Sequence, residues 1–222
     1  PAATRPWCGV GRSATRPAPD SAPRVLAKAG FAGAVPVLGE SFIRWVIEDD
    51  FIAGRPAFEN GGVEMVEDVQ PYEEAKIRIL NVSHAGIAWG GTLSGLSYIH
   101  EDTLTPAIRK MADDYVTDDV IPCLTPCPLD LVAYRDTVLD RFANANILDT
   151  NQRVAADGFS KIPALVVPPP QEGFPRARPP FPPPLLPCLV FPHLPRWAAG
   201  NLPHRPADAV MNACQAPCRC LS

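Results

Sequence analysis

The stretch AKIRILNVSH, residues 75–84, places three polar side chains, Lys76, Asn81 and His84, in an otherwise apolar run. An α-helix turns about 100° per residue, so Asn81 lies about 140° and His84 about 80° around the axis from Lys76. All three then share one arc of the helix, spread over about 12 Å. Such an arc could bind and polarise a hydroxyl or carbonyl group. In a plainer interpretation, Lys76 is a surface residue and the other two are hydrogen-bonded core groups.

Each member of this arc has a distinct chemical use. A lysine can act as a base when desolvation lowers its pKa. An asparagine amide offers a fixed donor, and a histidine can both donate and move protons. A second cationic pair, Arg153 and Lys161, lies eight residues apart, which is about 80° if the segment is helical. Two cationic clusters in a chain of net charge −4 suit a polyhydroxy or anionic ligand.

Composition excludes several classes of protein. The net charge of −4 argues against an electrostatic nucleic-acid binder. The sequence has no apolar run of the roughly 18–20 residues that a membrane span needs, so no membrane partner is expected. Seven unevenly placed cysteines do not resemble a disulfide scaffold. We therefore expect a cytoplasmic protein of unknown oligomeric state.

Proline divides the chain into three parts. More than half of the 28 prolines follow residue 167, and residues 1–35 share a Pro/Ala/Arg bias. Proline fixes φ and removes a backbone donor, so dense proline opposes helices and sheets alike. We expect unstructured ends at 1–35 and 168–222 around a patterned middle at 36–167. The abrupt change of composition fits either an altered reading frame or genuine disordered tails.

The patterned middle predicts a mainly α domain with a short β-hairpin. β-Branched and aromatic residues predict strands within 41–51 and 63–69, with a Gly- and Pro-containing loop between them. From Pro71 a long, glycine-rich helix is predicted to be central and buried, with Gly90-Gly91 as the place where it could break. Apolar spacing predicts three further helices, within 105–124, 128–144 and 150–163.

Several of these segments carry a family resemblance. SFIRWVIEDDF, GRPAFENGGVEMVEDVQPYEEAKIRILNVSHAGIAWGG, DYVTDDVIPCL and RVAADGFSKIP resemble the C-terminal domain of the polyol-specific long-chain dehydrogenases, the mannitol dehydrogenase family. The similarity spans about residues 36–163 and includes the Lys-x4-Asn-x2-His element. The resemblance implies a helical substrate domain and NAD-dependent, metal-independent oxidation of a sugar alcohol, D-arabinitol to D-xylulose or a related polyol such as mannitol.

The resemblance also implies a role for each candidate residue. Lys76 matches the family's general base, Asn81 an asparagine that polarises the reacting oxygen, and His84 a histidine that positions the substrate. Arg153 and Lys161 match basic residues that bind the substrate's hydroxyl groups. A base beside an electrostatic clamp on the developing oxyanion is a coherent arrangement for alcohol oxidation.

The sequence departs from the family at both ends. Family members carry an N-terminal dinucleotide-binding Rossmann domain, which we expect to be absent from the 35 residues that precede the match. The cofactor-binding residues are therefore unknown, and the isolated chain is expected to be inactive.

Two alternatives stay open. The domain could be a non-catalytic fragment or an interaction module. Zinc could also bind near the end of the chain, although the spacing fits no standard C-x2-C pairing. The available ligands for such a zinc site are Cys188, His193, His204, Cys214, Cys218 and Cys220.

Overall fold

The structure is a computed structural model. It describes residues 42–156 together with 8–10, 14–15, 21–31 and 38–39. The chain divides into two compact units, residues 1–73 and 74–222, which are described separately below.

Short strands characterise the first unit. β1 pairs antiparallel with β4, β4 pairs parallel with β5, and β2 pairs antiparallel with β3. Val46 and Ile47 of β4 are buried, as expected for a central strand. The strands within the described residues are β1 (Cys8–Val10), β2 (Ala14–Thr15), β3 (Leu38–Gly39), β4 (Trp45–Glu48) and β5 (Glu64–Val66).

The predicted strands within 41–51 and 63–69 are confirmed, but they do not form the predicted hairpin. Val46 faces Glu64 and Ile47 faces Met65 in parallel register. A hairpin needs a short loop, whereas parallel strands need a crossover of about a dozen residues or more. The connection at 49–63 is long enough to be such a crossover.

Arg55 orders that connection. Its Nε donates to Asp49 at 2.7 Å and its Nη1 donates to Glu59 at 2.6 Å, so one guanidinium ties both ends of the loop. A 3₁₀ turn at Phe58–Gly61 follows, and Gly62 closes it with φ of 83°. Glycine adopts this left-handed conformation without steric cost, so the chain can turn directly into β5.

The described residues among the first 35 include regular structure. Helix α1 spans Ser21–Ala29, in addition to β1 and β2. Pro23 lies in the first turn of α1, where its missing N–H is tolerated. Gly30 follows the last helical residue with φ of 75°, and its N–H donates to Leu26 O. Proline here starts a helix rather than preventing one.

A long helical segment follows β5. It consists of α2 (Gln70–Ala75), a π-helical segment that we call π1 (Lys76–Val82), and α3 (Ser83–Leu93). The predicted central, buried helix is confirmed, and the helix continues through Gly90-Gly91 instead of breaking there. Packing against its neighbours outweighs the low helix propensity of the two glycines.

The remaining helices confirm the mainly α fold. The helices predicted within 105–124 and 128–144 are present, and the one predicted within 150–163 is observed as far as Ala156. Asp130 caps its helix by accepting a hydrogen bond from Ala133 N at 3.0 Å. The elements are α4 (Ile99–Leu104), α5 (Pro106–Asp114), a second π-helical segment π2 (Tyr115–Val120), α6 (Ile121–Leu124), α7 (Leu131–Phe142) and α8 (Asn151–Ala156).

Two apolar clusters form the core of the second unit. In the first, Ile79 and Val82 of π1 join Val116 of π2 and Val138 of α7. The second cluster joins α3, α4, α5, α7 and α8; among its members are Ala85, Ile87, Trp89, Ile99, Ile108, Leu139 and Val154. The first cluster includes residues of π1 and the second includes residues of α3, so these two continuous segments form the structural centre of the described part of this unit.

A buried polar group lies where α3 meets α4. The Asp102 carboxyl is fully buried, and Asn151 Nδ2 donates to its Oδ1 at 3.1 Å and to Leu96 O at 3.1 Å. Burial raises the pKa of Asp102 to about 7, and the nearby Glu101 charge adds to this effect, although the hydrogen bond from Asn151 opposes it. A Cβ at Gly91 would lie 2.0 Å from this carboxyl, so the predicted need for small residues is confirmed at Gly91.

In the described part of the chain, no helix has the length and apolar character required to cross a bilayer.

Candidate functional site

Lys76 and Asn81 both lie on π1. A π-helix is hydrogen-bonded from residue i to residue i+5, so residues five apart lie about one turn apart. The separation of about 140° that we inferred for an α-helix therefore does not apply, and the two side chains lie closer to a common face than predicted. Single π-helical turns inserted in α-helices are frequent at functional sites.

The apolar residues of π1 fix where its polar residues lie. Ile79 and Val82 are buried against Val116 of π2. Lys76 and Asn81 are half-buried and lie outside this apolar contact. Neither side chain makes a hydrogen bond or ion pair within the described residues. Both side chains are therefore partly accessible in the described part of the chain.

His84 lies in the first turn of α3, directly after π1. Its ring stacks on Phe142, with 4.5 Å between ring centroids and an interplanar angle of 15°. Its Nε2 lies 3.3 Å from Asp149 Oδ2, and only 18% of the side chain is exposed. The ring plane is set by this aromatic contact, and the Asp149 carboxylate lies beside Nε2 at ion-pair distance, without the geometry of a hydrogen bond.

Arg153 meets the same carboxylate from α8. Its Nε donates to Asp149 Oδ1 at 2.6 Å, and its Nη2 donates to Asp149 Oδ2. Burial raises the pKa of Asp149, but the nearby His84 ring and the hydrogen bonds and charge of Arg153 outweigh burial and hold this pKa at about 2. Asp149 is therefore ionised at neutral pH, and it offsets part of the predicted cationic cluster.

The structure thus brings two of the five predicted site residues together, His84 and Arg153, through a residue that the sequence did not single out. Lys76 and Asn81 lie on the adjoining π1, while Lys161 is outside the described residues. The signal for Asp149 was its position four residues before Arg153, a spacing at which opposite charges pair on a helix. Nothing in that spacing indicates His84, because the contact is tertiary.

The described residues show no cradle for a dinucleotide. A dinucleotide-binding strand leads through a glycine-rich turn into the N-terminus of a helix, where the pyrophosphate binds. The turn from β5 to α2 contains Glu67 and Asp68 instead, whose negative charges would repel a pyrophosphate. The described residues also hold no group of three His, Cys, Asp or Glu side chains suited to a metal ion. The zinc ligands considered above lie outside the described residues.

Comparison with known proteins places residues 68–178 under the family model of the mannitol dehydrogenase C-terminal domain. The chain is 57% identical over 211 residues to D-arabinitol 4-dehydrogenase of Ralstonia nicotianae, covering 95% of this chain and 45% of the relative. It is 54% identical over 210 residues to D-arabinitol 4-dehydrogenase of Klebsiella pneumoniae, covering 95% and 46%. The chain thus spans less than half the length of these relatives.

Two solved structures of dehydrogenases are also similar to this chain. A D-sorbitol dehydrogenase in substrate-free form matches with a TM-score of 0.68 and 34% identity, over 72% of this chain and 34% of that chain. The Pseudomonas fluorescens mannitol 2-dehydrogenase, in a ternary complex with NAD and D-mannitol, matches with a TM-score of 0.67 and 32% identity, over 97% and 38%.

Proposed function

This chain belongs to the mannitol dehydrogenase family, and on that premise we propose that it provides the substrate-binding and proton-transfer side of a polyol dehydrogenase. The proposed reaction is the NAD-dependent oxidation of D-arabinitol to D-xylulose. The observation that carries the proposal is the position of Lys76, Asn81 and His84 on a continuous helix inside the matched segment. The choice of D-arabinitol rests on the two D-arabinitol 4-dehydrogenases, which share more than half of the aligned residues.

Lys76 is proposed as the general base. Oxidising a secondary alcohol removes the hydroxyl proton as the carbonyl forms, and a base beside the oxygen lowers the barrier to that loss. The half-buried position of Lys76 on π1, inside the matched segment, supports this assignment.

Asn81 and His84 are proposed to hold the reacting oxygen. A fixed amide donor stabilises the negative charge that develops on oxygen as the proton leaves. The imidazole of His84, held between Phe142 and Asp149, can hydrogen-bond to a hydroxyl from a fixed direction. Because the His84 ring is already held in place, its contribution is proposed to be electrostatic preorganisation.

Arg153 and Lys161 are proposed to bind the remaining hydroxyl groups of the polyol. The Arg153 side chain is 63% exposed, so its guanidinium can reach a ligand while Asp149 anchors it. A guanidinium carries five N–H donors in a fixed plane, which suits an array of hydroxyl oxygens. NAD is proposed as oxidant because the P. fluorescens neighbour is a complex with NAD. It would bind outside the described residues.

The test joins this sequence to the amino-terminal half of the R. nicotianae enzyme. The joined protein is expected to reduce NAD when D-arabinitol is supplied, measured by NADH absorbance. Lys76→Ala is expected to lower kcat by at least about 100-fold, a typical contribution of a general base. The chain by itself is expected to oxidise no polyol.

Lys110→Ala is the matched control, because Lys110 is 74% exposed and pairs with Asp114 on α5. It is expected to leave turnover unchanged. Normal turnover by the Lys76 variant would refute the assignment of the base. A folded joined protein that oxidises neither D-arabinitol nor mannitol would favour the alternative of a non-catalytic interaction module.

A further inference from the structure

Asp149 is the meeting point of the two proposed substrate-side groups that come from different helices. His84 approaches from α3, with Nε2 at 3.3 Å from Oδ2, and Arg153 approaches from α8, with Nε at 2.6 Å from Oδ1. The carboxylate side chain is only 11% exposed, whereas that of Arg153 is 63% exposed. An ion pair between two exposed side chains contributes little to stability. In this pair the Asp149 carboxylate is largely buried, and only the Arg153 side chain is exposed.

The backbone around Asp149 is held from a second direction. Asp149 O accepts a hydrogen bond from Ile99 N at 3.0 Å, and Asp149 N donates to Ile147 O at 2.8 Å. The next residue, Thr150, forms a bridge with Tyr98. The carboxylate is therefore presented to His84 by a segment fixed to the start of α4, not by a free loop.

The imidazole of His84 is constrained in both its plane and its direction. Phe142 stacks against one face, and Asp149 lies beside Nε2. A carboxylate next to one ring nitrogen keeps the proton on that nitrogen, which sets the tautomer and the hydrogen-bonding character of the other nitrogen. Without the carboxylate, the two neutral tautomers would be closer in energy.

We propose that Asp149 is a positioning residue of the site, which fixes the tautomer and direction of His84 and anchors Arg153 beside it through one carboxylate. This inference rests on the proposed function for its catalytic consequence, while the effect on His84 is independent of any activity. Because it acts through two other side chains, Asp149 itself need not touch the substrate.

The first test is made on the full chain with ¹⁵N-labelled histidine. Ring ¹H–¹⁵N spectra near neutral pH are expected to show His84 mainly as the Nε2–H tautomer. In Asp149→Asn, the two ring nitrogen shifts are expected to move toward each other, as a mixture of tautomers would give. His84→Gln identifies the signals. Unchanged His84 ring shifts in a folded Asp149→Asn chain would overturn the proposal.

Asp140→Asn is the matched control. The Asp140 side chain is 73% exposed and accepts one hydrogen bond of 2.8 Å from Arg109. The Asp140→Asn variant therefore loses a carboxylate and an ion pair at a position away from the site. Its His84 ring shifts are expected to equal those of the parent. If Asp149→Asn and Asp140→Asn changed the His84 ring shifts equally, the cause would be a general charge effect, and the proposed role of Asp149 would be overturned.

The second test uses the enzyme joined to the R. nicotianae half. Asp149→Asn is expected to lower kcat/KM for D-arabinitol by about 10- to 100-fold, as is usual for a group that orients an active-site histidine. Added to His84→Gln, it is expected to cause a much smaller further loss, because residues that act through one another are not additive. Fully additive losses would mean a merely structural role and would overturn the proposal. Failure of the Lys76→Ala test would reject the proposed function, and the ring spectra would still decide the role of Asp149.

Discussion

The contact between Gly91 and Asp102 predicts a sharp difference between two adjacent glycines. An alanine Cβ at position 91 would lie 2.0 Å from Cγ and Oδ1 of Asp102 and 2.2 Å from its Oδ2. Ordinary contacts between heavy atoms lie near 3.5 Å, so the carboxyl or the helix would have to move by more than about 1 Å. The fully buried Asp102 cannot swing into solvent, and its movement would break the bond from Asn151. At Gly90 an added Cβ would meet Ile108 at an ordinary 3.7 Å.

The free energy of unfolding is expected to fall in Gly91→Ala but not in Gly90→Ala. Replacing glycine by alanine inside a helix stabilises it by up to about 1 kcal/mol. At Gly91 this gain is opposed by about 1–3 kcal/mol from overpacking and about 1–3 kcal/mol from an unpaired buried polar group. Gly91→Ala is therefore expected to lower the free energy of unfolding by about 3 kcal/mol. Gly90→Ala is expected to leave it unchanged or raise it slightly.

Urea unfolding of the full chain, followed by far-ultraviolet circular dichroism, measures both variants against the parent. A third protein, Gly91→Ala with Asp102→Ala, removes the atoms that the new methyl group meets. Its loss of stability is expected to be smaller than the sum of the two single losses by at least about 1 kcal/mol. Equal stability of Gly91→Ala and Gly90→Ala would show that the helices do not approach as closely as described.

Three further predictions concern stability. Because burial raises the pKa of Asp102 to about 7 from the ordinary value of 3.8, the folded chain keeps a proton that the unfolded chain loses. Its contribution to stability is fully present below about pH 4 and falls by up to about 4 kcal/mol as pH rises to about 7. Asp102→Asn cannot lose this proton and is expected to remove the pH dependence. Urea unfolding between about pH 5 and pH 8 should show a flatter profile for that variant. Asp130→Ala removes the cap on Ala133 N and should cost about 1 kcal/mol in the same assay. Ile79→Ala, at a fully buried site, should cost about 2–5 kcal/mol, and a loss below about 1 kcal/mol would contradict the described core.

Much of the second unit could be predicted from local sequence. Pro106 after Thr105 marks the start of α5, and Asp130 marks the start of α7. These signals are local because a helix satisfies its own backbone groups within a few residues. The Lys-x4-Asn-x2-His element was found for the same reason, since its three members lie on one continuous helix.

The departures arise where partners distant in the sequence decide the outcome. The parallel pairing of β4 with β5 depends on how the connection at 49–63 folds around Arg55, not on the alternation of either strand. The π-helical form of π1 accompanies its packing against π2, which residue spacing along one helix does not show. Helical periodicity therefore misplaced Asn81 relative to Lys76.

The sequence by itself determined which residues we propose for the chemistry, because side-chain type and the Lys-x4-Asn-x2-His order are local properties. Only the tertiary structure decided what surrounds them. The contact of His84 with Phe142 and Asp149 joins the start of α3 to the end of α7 and the segment before α8, which lie far from α3 along the chain. The approach of α3 to Asp102, likewise, turns Gly91 from a weak helix former into a required residue. Both depend on close packing between elements, which is not encoded in the periodicity of any one of them.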